Sequence, residues 1–186
     1  MNKLLTGILL RVISPLALAH PGHGLNSVYA GFMHPLTGWD HLLVMVAVGL
    51  WAGKLGGKAR WQLPATFLIM MAVGVVLGAW GLAFSGLDSA IAASVMAMGL
   101  LLIISMPIQL AKRVTMIAMF ALLHGMAHGV ELPQTSLLML TGMLATTALL
   151  HLIGLVLSSK RLVIQQSIFD ALGLLMLGFG GYLLLS

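Results

Sequence analysis

Few residues of this chain can do chemistry, and most of them are grouped: 186 residues contain seven histidines and four acids. The first group reads His34-Pro35-Leu36-Thr37-Gly38-Trp39-Asp40-His41, with Met45 following. On a continuous helix His34 and His41 share one face, about two turns or 10 Å apart. Met45 extends that face below His41. Asp40 points about 100° away, which leaves it two roles. It is either a ligand from a bent helix or the carboxylate that holds a histidine's second ring nitrogen. Pro35 and Gly38 mark a place where the helix can distort and free backbone groups beside the site. The second group reads His124-Gly125-Met126-Ala127-His128-Gly129-Val130-Glu131. Positions i, i+4 and i+7 fall within about 60° of one helical face, giving two imidazoles and a carboxylate in a column. His-xxx-His on a helix is a chelating spacing for a divalent metal.

Imidazole and carboxylate donors without thiolate suit borderline ions such as Ni²⁺, Co²⁺ or Zn²⁺; a soft Cu(I) site would use Cys or closely grouped Met. The chain has no cysteine, so it has no disulfide framework, thiolate site or cysteine nucleophile. It also has no Gly-x4-Gly-Lys-Ser/Thr stretch, hence no P-loop of its own. The general affinity order of divalent metals does not choose between nickel and cobalt here.

The elements that must position these groups follow from composition. The chain is 60% hydrophobic and 7% charged, with a mean hydropathy of +1.10. Soluble domains carry about 25% charge, so a water-soluble globule is excluded. The net charge of +5 does not point to nucleic acid, because the nine basic residues are scattered and form no stripe. The expected fold is all-α: a polytopic membrane protein of six transmembrane helices after a cleavable signal peptide. Apolar runs of spanning length lie at 29–52, 63–84, 89–109, 114–132, 136–158 and 163–185. Residues 1–19 form the signal peptide, with Lys3 in its basic start and Ala17-Leu18-Ala19 as the small-x-small cleavage signature. Arg11 within the apolar stretch keeps an uncleaved first helix open as the alternative. Residues 20–186 then form one transmembrane domain. Its new terminus, His20-Pro21-Gly22-His23, either offers an amine and two imidazoles to an external metal or is a flexible tail.

Charge sets the orientation. Beyond residue 19 every Lys and Arg lies in alternate connectors: Lys54, Lys58 and Arg60, then Lys112 and Arg113, then Lys160 and Arg161. By the positive-inside rule these are cytoplasmic, and both mature termini lie outside. His34 then lies near the outer surface and His41 near the midplane. On the fourth, antiparallel span His124 lies near the midplane and Glu131 near the outer end. If those spans touch, His34, His128 and Glu131 make an outer tier, and Asp40, His41 and His124 an inner one, a stepwise path for a cation.

A single intramembrane histidine can simply cross-link helices, for roughly 0.6–2 kcal/mol. Two columns at one depth exceed what helix glue requires. His151, alone on the fifth span, reads as packing. Asp88 and Asp170 lie near expected helix starts, where carboxylates cap free N–H groups. Gly125 and Gly129 form a small-xxx-small pair that admits another helix closely. The 14 methionines are mostly filler, with Met45 set apart by following His41 on its face.

At these residues the sequence resembles the HupE/UreJ family of nickel/cobalt permeases. That family pairs His, five residues, then Asp-His in its first mature helix with Phe-His-Gly-x-Ala/Val-His-Gly-x-Glu in a later one. His34, Asp40 and His41 fill the first pattern; His124, His128 and Glu131 fill the second, with Leu123 where the family has Phe. The HPGH start and six-helix layout are also similar, so the resemblance covers essentially the whole chain. It implies uptake of Ni²⁺ or Co²⁺ from the periplasm across a bacterial inner membrane. The metal is then the transported ion, with no prosthetic group. The competing class is an intramembrane zinc-dependent hydrolase, in which three histidines and a carboxylate activate a water. Few non-ligand polar groups are available to orient an organic substrate, which favours the permease. Six helices also permit a three-plus-three inverted repeat, with the clusters in corresponding helices and the site between halves.

Overall fold

The computed structural model describes residues 27–104, 106–131, 136–158 and 166–185, and their regular structure is helical. The signal peptide, His20, His23 and the Lys160-Arg161 connector lie outside the described residues. The elements are α1 (Val28–Met33), a 3₁₀ turn (His34–Leu36), α2 (Trp39–Leu55), α3 (Ala59–Ala79), α4 (Leu87–Ile103), α5 (Leu110–Glu131), α6 (Leu137–Leu157) and α7 (Gln166–Leu185). Four of them, α3, α5, α6 and α7, are long and apolar enough to cross a bilayer. The segment Val28–Leu36 with α2 passes as a fifth, bent span, and α4 is apolar but shorter, at 17 residues.

The first span departs from the sequence expectation of one helix over 29–52. Val28–Leu36 and Trp39–Leu55 meet at 86°. Pro35 has no N–H to donate and its ring opposes a continued helix. Gly38 then takes an extended conformation, φ −101° and ψ 119°, as the cap of α2. Backbone groups freed by such a break must find new partners within a membrane. The Thr146 hydroxyl donates to the Phe32 carbonyl at 2.6 Å, and the Thr37 hydroxyl to the His34 carbonyl at 2.7 Å. His34 and His41 therefore do not share a continuous helical face; they reach the site from opposite sides of a corner.

Close helix pairs arise where small residues let backbones meet. Gly125 and Gly129 of α5 lie directly against the backbone of α3 at Met71, Gly74, Val75 and Gly78. The expected small-xxx-small contact is thus with the second span. The most extensive packing joins α3 with α5, α4 with α7, and the two halves of the first span with α6. Large apolar side chains such as Leu138, Leu149, Leu152 and Ile153 remain exposed along α6. That outward face suits lipid, which penalises no apolar surface.

Two carboxylates read as caps differ in role. Asp170 sits inside α7 and accepts a hydrogen bond from the Gln166 side-chain amide at 2.8 Å, one turn back. Asp88 lies in the first turn of α4, whose cap is Gly86 in the left-handed region at φ 100°.

Candidate metal site

The corner in the first span and the outer end of α5 hold the polar residues together. His34, on the 3₁₀ turn, approaches His128 Nδ1 through Nε2 at 2.9 Å and Glu131 Oε2 at 3.5 Å. The ligand-capable atoms of His34, His128 and Glu131 all lie within 4.8 Å of one another. His41, in the first turn of α2, contacts the His128 ring at 4.3 Å between centroids and the His124 ring at 5.1 Å. α2 and α5 meet through these ring contacts, while α3 packs closely on α5 and α6 on α2.

Hydrogen bonding sets which nitrogen each ring presents. His41 Nδ1 donates to Asp40 Oδ1 at 2.9 Å, and His124 Nδ1 donates to the Phe120 carbonyl at 2.8 Å, one turn back on α5. An oxygen acceptor on one ring nitrogen leaves the other bare and basic, the usual preparation of a metal-binding histidine. His41 Nε2, His124 Nε2 and His128 Nε2 are each buried with no hydrogen-bond partner among the described residues. His124 and His128 are almost wholly enclosed, at 0% and 1% exposed. Asp40 contacts His41, the second of the two roles its position allowed.

A cavity of about 190 Å³ opens on this cluster, lined by His34, Thr37, Gly38, Asp40, His41, His128 and Glu131. Glu131 is its exposed edge, while His124 is not among the lining residues and touches His41. The cavity gathers five of the six sequence candidates within the described residues, and the sixth, His124, reaches it through its ring contact with His41. Thr37 and Gly38 line the same space; Thr37 carried no signal of its own, and Gly38 was marked only as a place where the helix can distort. His151 lies apart, on α6, where Nδ1 donates to the Met45 carbonyl at 2.6 Å and ties α6 to α2.

Fold and site together define a class: a multi-pass helical membrane protein with imidazoles and carboxylates gathered at the corner of a broken span. The sequence matches the HupE / UreJ protein family over residues 8–183. It is 41% identical over 162 residues to Protein HupE of Rhizobium leguminosarum bv. viciae, a match that covers 86% of this chain and 85% of that one. The chain belongs to the HupE/UreJ family, which is connected with nickel and cobalt transport. No solved structure matches it.

Proposed function

We propose that this chain is a secondary permease that imports Ni²⁺ or Co²⁺ across the bacterial inner membrane through the His/Asp/Glu cluster. The observation that carries this is the row of buried, unpartnered Nε2 atoms at His41, His124 and His128, reached through a cavity with Glu131 at its mouth. Glu131 and His34 draw the cation in, and His128 with His34 takes it from water. The spacing supports this: two nitrogens about 2.05 Å from one ion at a right angle lie about 2.9 Å apart, so an ion can replace the proton that His34 and His128 share. His41, held by Asp40, then receives it and passes it to His124.

Under this reading the bent first span and α4 both cross, giving six spans after a cleaved signal peptide, with both mature termini periplasmic. His20 and His23 would then lie on the same side as the cavity mouth and offer the ion a first contact. Entry of a divalent ion is driven by the membrane potential, about 2.3 kcal/mol per charge per 100 mV, or by trapping in the cytoplasm. The hydrolase reading is weakened by the size of the cavity. Its volume of about 190 Å³ lies below the roughly 300–1,000 Å³ of sites that enclose organic ligands.

The test uses liposomes that carry the purified protein and a trapped metal-sensitive dye. A permease quenches the dye when Ni²⁺ or Co²⁺ is added outside, and protein-free liposomes do not. Metal retained on the protein with no change in the lumen would contradict transport.

A further inference from the structure

Below the proposed entry cluster lies a second group of donors, contributed by three helices. His151 of α6 donates from Nδ1 to the Met45 carbonyl, which leaves Nε2 bare, as at His41 and His124. That Nε2 is buried and has no hydrogen-bond partner among the described residues. The side chain is 2% exposed, so nothing reaches it from outside without passing through the bundle. One turn back on α6, the Thr147 hydroxyl lies 3.4 Å from the thioether sulfur of Met45 on α2 and 3.7 Å from that of Met71 on α3. Met45, Met71 and Thr147 are all fully buried. Residues i and i+4 of a helix share a face, so His151 and Thr147 lie on one edge of α6, and the two sulfurs face the Thr147 end of it.

The layer adjoins the entry cluster. Met45 is one turn below His41, about 6 Å along the α2 axis. The Phe67 ring neighbours both groups, 6.2 Å from the His124 ring and 5.0 Å from that of His151. A helix cross-link needs only the His151 Nδ1 hydrogen bond. It requires neither a bare nitrogen in a dry core nor two sulfurs and a hydroxyl in the same layer.

We infer that His151, Met45, Met71 and Thr147 form a second, inner station that takes a dehydrated borderline divalent cation from the entry cluster before its release to the cytoplasm. The inference rests on the permease reading. Imidazole accepts Ni²⁺ and thioether sulfur prefers softer ions, so the layer is a poor host for hard Mg²⁺ or Ca²⁺ and adds selectivity against them. All four groups are neutral, whereas the entry cluster carries Asp40 and Glu131. Conduction needs sites weak enough to leave, and a neutral station after a charged one provides that step.

The test is nickel X-ray absorption on the purified full-length protein at saturating Ni²⁺, paired with uptake. The wild type is expected to show nickel–sulfur scattering. Met45→Leu/Met71→Leu, a near volume-conserving change that keeps the core filled, should lose it and keep nitrogen and oxygen ligation. The same variant, and separately His151→Gln, should lower uptake about tenfold or more. Nickel bound in the wild type through nitrogen and oxygen alone overturns the inner station and leaves the permease reading standing. Sulfur scattering that survives the double variant, or uptake unchanged in both variants, also overturns it. No nickel bound by the wild type overturns both.

Discussion

The buried Nε2 atoms of His41, His124 and His128 are expensive features, since an unpaired buried polar group costs about 1–3 kcal/mol. Their neighbours hold the rings in the tautomer that presents those atoms, through Asp40 for His41 and the Phe120 carbonyl for His124. Asp40→Asn removes the charge that orients His41 and raises its basicity, and should weaken metal affinity about 10–100-fold. Isothermal titration of Ni²⁺ against both proteins checks this, and equal affinity would remove Asp40 from the site. Protonated imidazole cannot ligate, so uptake should fall as the pH is lowered and protons compete with the ion for these nitrogens. Uptake that does not change with pH would show that histidine coordination does not limit transport. These groups were legible from sequence because a titratable residue in an apolar run has no bland solvated role. The layer of Met45, Met71, Thr147 and His151 was not, because its members come from three helices. Only Met45 carried a hint, from its place below His41.

The first span has to turn a corner for His34 to face His128, and that corner rests on one side chain from another helix. Thr146 pairs the Phe32 carbonyl that the break releases. Thr146→Val keeps the shape and leaves that carbonyl unpaired, so it should cost about 1–3 kcal/mol. A lower melting temperature in detergent, with weakened metal binding, is the expected outcome; an unchanged melting curve would show that the carbonyl finds another partner. On the opposite side, Gly125→Leu would press a side chain into the α3 backbone at Met71 and Gly74. It should separate the pair and lower the yield of folded protein on size-exclusion chromatography. Sequence signals marked both features in kind, through Pro35, Gly38 and the Gly-xxx-Gly pair. The 86° bend was not readable, because its size depends on α6 packing against both halves of the span. Asp170 misled for a related reason: α7 contains it one turn in, paired with Gln166, so it is not available as a cap.

At the scale of the whole molecule, if the bent segment and α4 both cross, the extensive helix pairs match a three-plus-three exchange. Swapping first with fourth span, second with fifth and third with sixth turns the α3–α5 pair into the first-span–α6 pair and leaves α4–α7 unchanged. The proposed path then lies where the two halves meet, between the first and fourth spans. Large aromatic side chains also sit exposed near the helix ends, Trp61 and Trp80 at opposite ends of α3 and Tyr182 near the end of α7, positions suited to the interfaces of a bilayer. Orientation can be tested directly, because the chain has no cysteine. In intact cells Ser85→Cys should react with a membrane-impermeant maleimide, and Lys58→Cys only after permeabilisation. The reverse pattern would invert the proposed topology. The four long apolar helices were legible from hydropathy, since it reflects the bilayer rather than any particular packing.

The central claim is that the imidazole column conducts the ion, and the most direct measurement is radiolabelled Ni²⁺ and Co²⁺ uptake into proteoliposomes. It compares the wild type with His41→Ala and His124→Ala, each confirmed as folded and inserted. Uptake by the wild type and its loss in both variants is the expected result, with the ratio of the two ions giving the preference. Uptake at the wild-type rate in either variant would contradict it.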